Sequence, residues 1–449
     1  MKASVFAKTL ETMLANQRYS SLKDILSTMQ PADIAAVFES LPEADLVMLF
    51  RLLPKDTAAD TFSELDSNTL ENLIRGLTDS ELGAVVAELY TGDAADLVDE
   101  MPANLVKRVL GQADAEKRRV INEILRYPEY SAGSVMTTEY VSLRPGMTVE
   151  QAITHIRRTG VTKKTINNCY VIDQSRVLIG MLSIRMLILA DSSAQVSDLM
   201  EEHVLSVSTM DDQESAVELM RRHGFSALPV VDGEGRLVGI LTADDAMDIL
   251  VDEATEDMEK MAAITPSDMP YLKTPVWKLW KARIPWLLLL MISATITGFI
   301  ITNFEDALAA YVVLTAYIPM LMDTGGNSGS QASVTIIRAL SLNELEFKDI
   351  FRVIWREARV SVLCGVTLAA VNFLKLLFLD KLLLPVAAAI CLTLVFTVIA
   401  AKFIGCTLPM LAKKLGFDPA VCASPFITTI VDALSLLIYF QMARLFLGL

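Results

Sequence analysis

From residue 284 to its end this chain carries five apolar runs, and no other feature limits its fold so strongly. A helix needs about 20 apolar residues to cross a hydrocarbon layer about 30 Å thick. Residues 284–304 are 21 in a row without a charge. Residues 307–337 are broken only by Asp323 and a glycine-rich stretch, 360–379 carry Lys375 near one end, 382–401 are uncharged, and 419–446 carry Asp432. Five membrane spans are therefore expected. Lys273, Lys278, Lys281 and Arg283 precede the first run, and Glu305 and Asp306 follow it. Arg338, Lys348, Arg352, Arg356 and Arg359 fill the loop after the second, and Lys413 and Lys414 follow the fourth. Basic residues stay in the cytoplasm, so the first loop and the C-terminus are expected outside. The first twenty residues contain Lys2, Lys8, Glu11 and Arg18 and no signal-like apolar region, which leaves the N-terminus inside. Lys402 is expected to snorkel toward the inner interface if the fourth span runs past it.

The rest of the chain is a different kind of protein. Of 39 basic and 54 acidic residues in 449, residues 1–270 hold 24 and 44, while 271–449 hold 15 and 10. An acidic soluble half is joined to an apolar, slightly basic one. Phosphate contacts need surplus Lys and Arg, so nucleic-acid binding is excluded as a function class. Cys169, Cys364, Cys391, Cys406 and Cys422 form no CxxC pair, and His155, His203 and His223 are scattered, so neither a disulfide framework nor a zinc, copper or nickel site is indicated.

Internal repeats organise the acidic half. Glu39-Ser-Leu-Pro42, Arg51-Leu-Leu-Pro54, Ser63-Glu-Leu-Asp66, Arg75-Gly-Leu-Thr78, Ala87-Glu-Leu-Tyr90 and Asp99-Glu-Met-Pro102 recur every twelve residues. Each unit reads as a short helix that must stack on its neighbours, which gives an all-α N-terminal helical superhelix over residues 1–130. From Ser131 a longer unit occurs twice. Val135-Met136, the helix from Thr148 and Gly160 recur as Leu199-Met200, the helix from Asp212 and Gly224 at an offset of 64. Tyr170-Val-Ile-Asp173 and Gly180 recur as Pro229-Val-Val-Asp232 and Gly239 at an offset of 59, so the first copy holds a five-residue insertion. Residues 131–253 thus resemble an α/β tandem pair of CBS domains. Such pairs often bind adenine nucleotides, which makes ATP a candidate partner.

Chemistry concentrates in three places. The second span contains Pro319-Met-Leu-Met-Asp323-Thr-Gly-Gly-Asn327-Ser-Gly-Ser-Gln331, polar side chains and glycines at membrane depth that must face protein or water. Either they line a cavity with carbonyls turned to an ion, or the glycines form a packing face; the two readings are compatible. In the last span Asp432 follows Pro425, Thr428 and Thr429. Arg444 lies about 18 Å further along the helix at 1.5 Å per residue, too far to pair. Lys402 is one partner open to Asp432; a cation is the other. Third, Asp245 and Asp248 lead into Asp252-Glu253-Ala-Thr-Glu256-Asp257-Met-Glu259, where like charges recur at i,i+4. A solvated acidic helix is the plain reading. A divalent cation bridging it to Asp93, Asp96 or Glu214 is the functional one, because the segment joins a sensor to the spans. Oxygen ligands suit a hard cation, Mg²⁺ or Ca²⁺. Ser328 has no histidine in the membrane half to activate it, so no enzyme is expected.

The order of helical domain, CBS pair, acidic linker and five spans, with PMLMDTGGNSGSQAS and FDPAVCASPFITTIVDALSLLIYF in the second and fifth, resembles the MgtE family of magnesium channels along the whole chain. The resemblance implies an inner-membrane homodimer in the lipid bilayer, with Mg²⁺ passing between protomers. Asp432 is then the pore carboxylate, and Pro319, Asp323, Gly325, Gly326, Asn327, Ser424 and Thr428 line the path. It implies sensing carboxylates at Asp93, Asp96, Asp245, Asp248, Glu253, Glu256 and Asp257, to which the charge pattern adds Glu214, an acidic mouth residue at Asp418, and a plug helix over 255–273. Domains are expected at 1–130, 131–253, 254–282 (the acidic plug and linker helix) and 283–449 (a five-span α-helical transmembrane domain). The expected function is Mg²⁺ uptake through a channel that internal Mg²⁺ closes. Exchange of Mg²⁺ for protons or Na⁺ is the main alternative, and a nucleotide sensor merely tethered to the membrane is another.

Overall fold

The computed structural model describes residues 2–267, 271, 272, 274–422 and 424–447, with the side chains of residues 2–5, 100, 306, 307 and 424 outside that set. The chain divides into two compact units, Met1–Leu250 and Val251–Leu449.

The twelve-residue repeat becomes a stack of short helices: α1 (Lys2–Ala15), α2 (Tyr19–Leu26), α3 (Pro31–Phe38), α4 (Glu43–Phe50), α5 (Lys55–Ser63), α6 (Ser67–Gly76), α7 (Asp79–Glu88), α8 (Thr91–Glu100), α9 (Ala103–Gln112) and α10 (Ala115–Ile124). The repeat works because each unit carries both a start and a stop. Pro42, Pro54 and Pro102 stand at N-caps, while Asp66, Thr78 and Asp114 accept bonds from the first free N–H groups of α6, α7 and α10. Leu65, Leu77 and Leu89, the apolar third residues, are buried where each helix ends.

The CBS pair follows as β1 (Val141–Leu143), α11 (Val149–Thr159), β2 (Asn168–Ile172), β3 (Leu178–Ser183) and α12 (Ile184–Leu189), then α13 (Val196–Leu199), β4 (Val207–Ser208), α14 (Gln213–His223), β5 (Ala227–Val231), β6 (Leu237–Thr242) and α15 (Ala243–Met261). Each copy forms a three-stranded sheet, a parallel pair followed by an antiparallel hairpin. Cys169 pairs with Leu182 as Leu228 pairs with Leu241, and the register shifts at the same place in both hairpins, between Val171 and Ile172 and between Val230 and Val231. The copies also exchange their leading segments. A Cβ on Gly239 would lie 2.5 Å from the sulfur of Met136, and one on Gly180 would lie 2.5 Å from that of Met200. Each methionine therefore roofs the other copy's sheet, and only glycine leaves room for it.

The second unit holds α16 (Val276–Asn303), α17 (Glu305–Ala310), α18 (Ile318–Ser341), α19 (Ile350–Phe378), α20 (Leu384–Lys414) and α21 (Ser424–Leu447). Among the described residues four stretches are long and apolar enough to cross a membrane: Val276–Asn303, Phe347–Phe378, Leu384–Lys414 and Pro419–Leu447. The five expected spans are thus four by this measure: α18, where the second was expected, falls short because of the polar residues in its middle. It starts at Ile318 instead of residue 307, because Pro319 fits a first helical turn, where its missing N–H costs nothing. The third and fourth helices outrun their apolar runs, reaching back to Ile350 and on to Lys414. The linker also differs from a single helix over 254–282. Its acidic part is the end of α15, Ala263 takes a positive φ of 54° that ends the helix, and α16 begins only after Pro275. Of the expected plug helix over 255–273, residues 268–270 and 273 lie outside the described residues.

Candidate functional site

α18 has two faces of opposite character. Gly325, Gly326 and Gly329 are buried, and a Cβ on them would meet Val431, Thr428 and Ile427 of α21 within 3.4 Å. Across the other side, a Cβ on Gly405 of α20 would stand 2.2 Å from the Gly329 carbonyl oxygen, so the α18 and α20 backbones touch. The glycines are the packing face, and α18 is helical throughout, so their carbonyls are not freed by a break in the helix as the ion-binding reading required. Pro319, Asp323, Asn327 and Gln331, spaced by four, are exposed together. This is a polar ridge on a helix whose neighbours are membrane spans.

Asp432 sits half-buried on α21, near enough to Asp323 for the two carboxylates to repel one another. Among the described residues no basic side chain pairs with it. Lys402 neither snorkels nor serves Asp432: it is buried, with its Nζ 3.7 Å from Oε2 of Glu357 on α19. The run of apolar residues hid this partner, since Glu357 precedes residue 360; a helix carried back one turn would have found it. Thr428 lies half-buried one turn before Asp432, its hydroxyl donating to the Pro425 carbonyl, and the side chain of Ser424 lies outside the described residues.

At the linker's end, Lys260 Nζ donates to Asp418 Oδ2 at 2.7 Å and pairs with Glu256 Oε1 at 2.8 Å. Met261 packs against Ile337 of α18 and Ala420 after Asp418. Asp418 in turn accepts from the Ala420 N–H, which fixes the turn before α21. Burial, and then the charges of Asp418, Glu253 and Glu256, push the Asp257 carboxyl up to about 6, with Lys260 opposing. Thus Glu253, Glu256, Asp257 and Asp418 form one electrostatic group at the foot of α18 and α21.

A second group lies in the first unit. Lys164 Nζ is 3.4 Å from Asp93, 3.5 Å from Asp244 and 3.5 Å from Asp245. Thr242 donates to both Asp244 and Asp245. Burial works against the ammonium, yet Asp245, Asp93 and Asp244 outweigh it and hold Lys164 above its ordinary value. Asp60 and Glu64 are both raised, by burial first and then by Asp93 for Asp60 and Asp248 for Glu64. Asp96 is exposed one turn on from Asp93 on α8, and Glu214 is exposed in the first turn of α14. So Asp93 and Asp245 share Lys164, Asp248 bears on nearby Glu64, and Asp60, Glu64, Asp244 and Lys164 are members that sequence reading missed. Among the described residues no group of three or more His, Cys, Asp or Glu is arranged to hold a metal ion.

Comparison with known proteins gives this arrangement a family. Residues 318–442 match the family described as MgtE, divalent cation transporter; residues 29–130 match the MgtE intracellular N domain; and 132–193 and 196–252 each match the CBS domain. A magnesium transporter MgtE of Thermus thermophilus is 40% identical over 356 residues, 79% of this chain and 78% of the relative. One from Bacillus subtilis is 36% identical over the same shares. Among solved structures, the soluble part of a magnesium transporter is 30% identical with a TM-score of 0.52, covering 55% of this chain and 98% of the other. The cytosolic domain of the Mg²⁺ channel MgtE in complex with ATP is 36% identical with a TM-score of 0.51, covering 54% and 99%. A polar ridge among apolar helices, an acidic helical domain and a CBS pair thus meet in one chain, which belongs to the MgtE family of magnesium transporters.

Proposed function

We propose that this chain is a Mg²⁺-selective channel, closed by internal Mg²⁺, that works as a homodimer in the cell membrane with its N-terminus in the cytoplasm. One observation carries the reading: Asp323, Asn327 and Gln331 are exposed on a helix among membrane spans, beside an Asp432 that has no basic partner among the described residues. Polar side chains facing lipid are costly, so this ridge faces water or a second copy of itself. A two-fold pairing brings two Asp432 carboxylates to one aqueous path, and their repulsion is relieved by a divalent ion. α18 then serves as a fifth span, its glycines holding α20 and α21 while its polar side faces the ion. Mg²⁺ releases its water reluctantly, and a path of amides and sparse carboxylates suits the hydrated ion.

Closure uses the carboxylates outside the membrane. Internal Mg²⁺ screens Glu253, Glu256, Asp257 and Asp418 and holds the linker at the foot of α18; depletion restores repulsion and frees it. The relative solved with ATP supports nucleotide binding by the CBS pair here as well. In liposomes, Asp432→Ala is expected to abolish Mg²⁺ uptake, and wild-type flux from it would sink the pore assignment. Uptake that follows a proton or Na⁺ gradient at zero voltage would instead indicate coupled exchange.

A further inference from the structure

The insertion that distinguishes the first CBS copy has a use. Nine residues separate Gly160 from Tyr170, where four separate Gly224 from Pro229. The surplus makes a 3₁₀ turn over Gly160–Thr162 and delivers Lys164, whose backbone N–H donates to the Glu139 carbonyl at 3.0 Å. Its ammonium meets Asp93 on α8 of the helical domain and Asp244 and Asp245 on α15 of the second CBS copy. The side chain is only 15% exposed, and its Nζ lies 5.1 Å from the Tyr90 ring centre. Asp60 and Glu64 both feel the charges of Asp93 and Lys164, and Glu64 that of Asp248 as well. Those carboxylates belong to two domains that would otherwise repel. Where bridging by an external ion was expected, the chain supplies its own cation.

We infer that Lys164 is a covalently attached counter-ion that clasps the helical domain to the CBS pair, so that this junction closes without a divalent ion. One positive charge against three carboxylates leaves the cluster negative, and an open cleft lined in part by Asp56, Asp60, Glu139 and Lys163 runs alongside. Divalent ions therefore reach the cluster but are not needed to close it. Removing the ammonium converts the junction to one that requires them. The inference stands apart from the gating proposal, which is judged by flux.

The test uses the full-length protein in detergent with one spin label on α6 and one on α14. In chelator, wild type and Lys164→Arg are expected to keep the distance seen in saturating Mg²⁺. Lys164→Met is expected to lengthen and broaden it, with recovery on adding Mg²⁺. A Lys164→Met distance unchanged in chelator overturns the inference. A second measurement needs no variant: in chelator Lys164 should react with an amine reagent at least about tenfold more slowly than exposed Lys107, the factor that 1.4 kcal/mol of protection gives. Equal rates overturn the inference as well.

Discussion

Asp257 offers a sharp test of the linker contact. Its carboxyl is half-buried, and burial together with Asp418 raises it from 3.8 to about 6. A group that holds its proton more tightly when docked than when free favours the docked form at low pH. The contact is therefore strongest below about 4 and weakens as pH rises through about 6. The full displacement corresponds to about 3 kcal/mol, which solvent screening at a half-exposed site reduces to roughly 1. From about pH 3 to 7.5, with Mg²⁺ chelated, the linker should thus open about fivefold more often. Hydrogen exchange of residues 262–267 in the full-length protein measures this. Asp257→Asn removes the ionisable group, and its protection, the exchange rate divided by the intrinsic rate at each pH, should be high and nearly flat across the range. The groups facing Asp257 are Glu253, Glu256, Lys260 and Asp418. If Asp257→Asn keeps the wild-type slope, another of these carries the titration and the reasoning fails.

Other perturbations follow from single contacts. Glu357→Gln strands the buried Lys402 ammonium and should cost about 3–5 kcal/mol, seen as a lower inactivation temperature in detergent; Glu357→Gln combined with Lys402→Met should recover most of it. Gly405→Ala sets a methyl against the Gly329 carbonyl and should cost about 1–3 kcal/mol by the same assay, while Gly298→Ala, with open space around it, should be neutral. Met136→Ala leaves a hole over Gly239 and should lower CBS stability by about 2–5 kcal/mol in denaturant unfolding.

The fold was legible in the sequence wherever a pattern repeats. The twelve-residue spacing of Leu65, Leu77 and Leu89, and the paired offsets of the CBS copies, gave both soluble domains. Hydropathy gave four of the five expected spans, α18 not being apolar enough to count, and it misplaced their ends, because it stops at charges such as Glu357 and Lys402 that the structure neutralises by pairing. Pro319 held the signal for the true start of α18. The clusters were half legible. Carboxylates close along the chain, such as Glu253, Glu256 and Asp257, could be seen together, whereas Asp60 and Lys164 reach theirs only through packing of distant segments. A lysine in an insertion carries no mark of the acids it will meet.

The crossed methionines of the CBS pair have a consequence for how that pair behaves as a body. Since the lid over each sheet is borrowed from the opposite copy, neither half can melt, shift or be excised without uncovering the other. A chain cut near residue 194 would give two fragments with complementary gaps, soluble together and poorly folded apart. Whatever small molecule tightens one half then tightens both, and the tandem answers as a single switch with two handles.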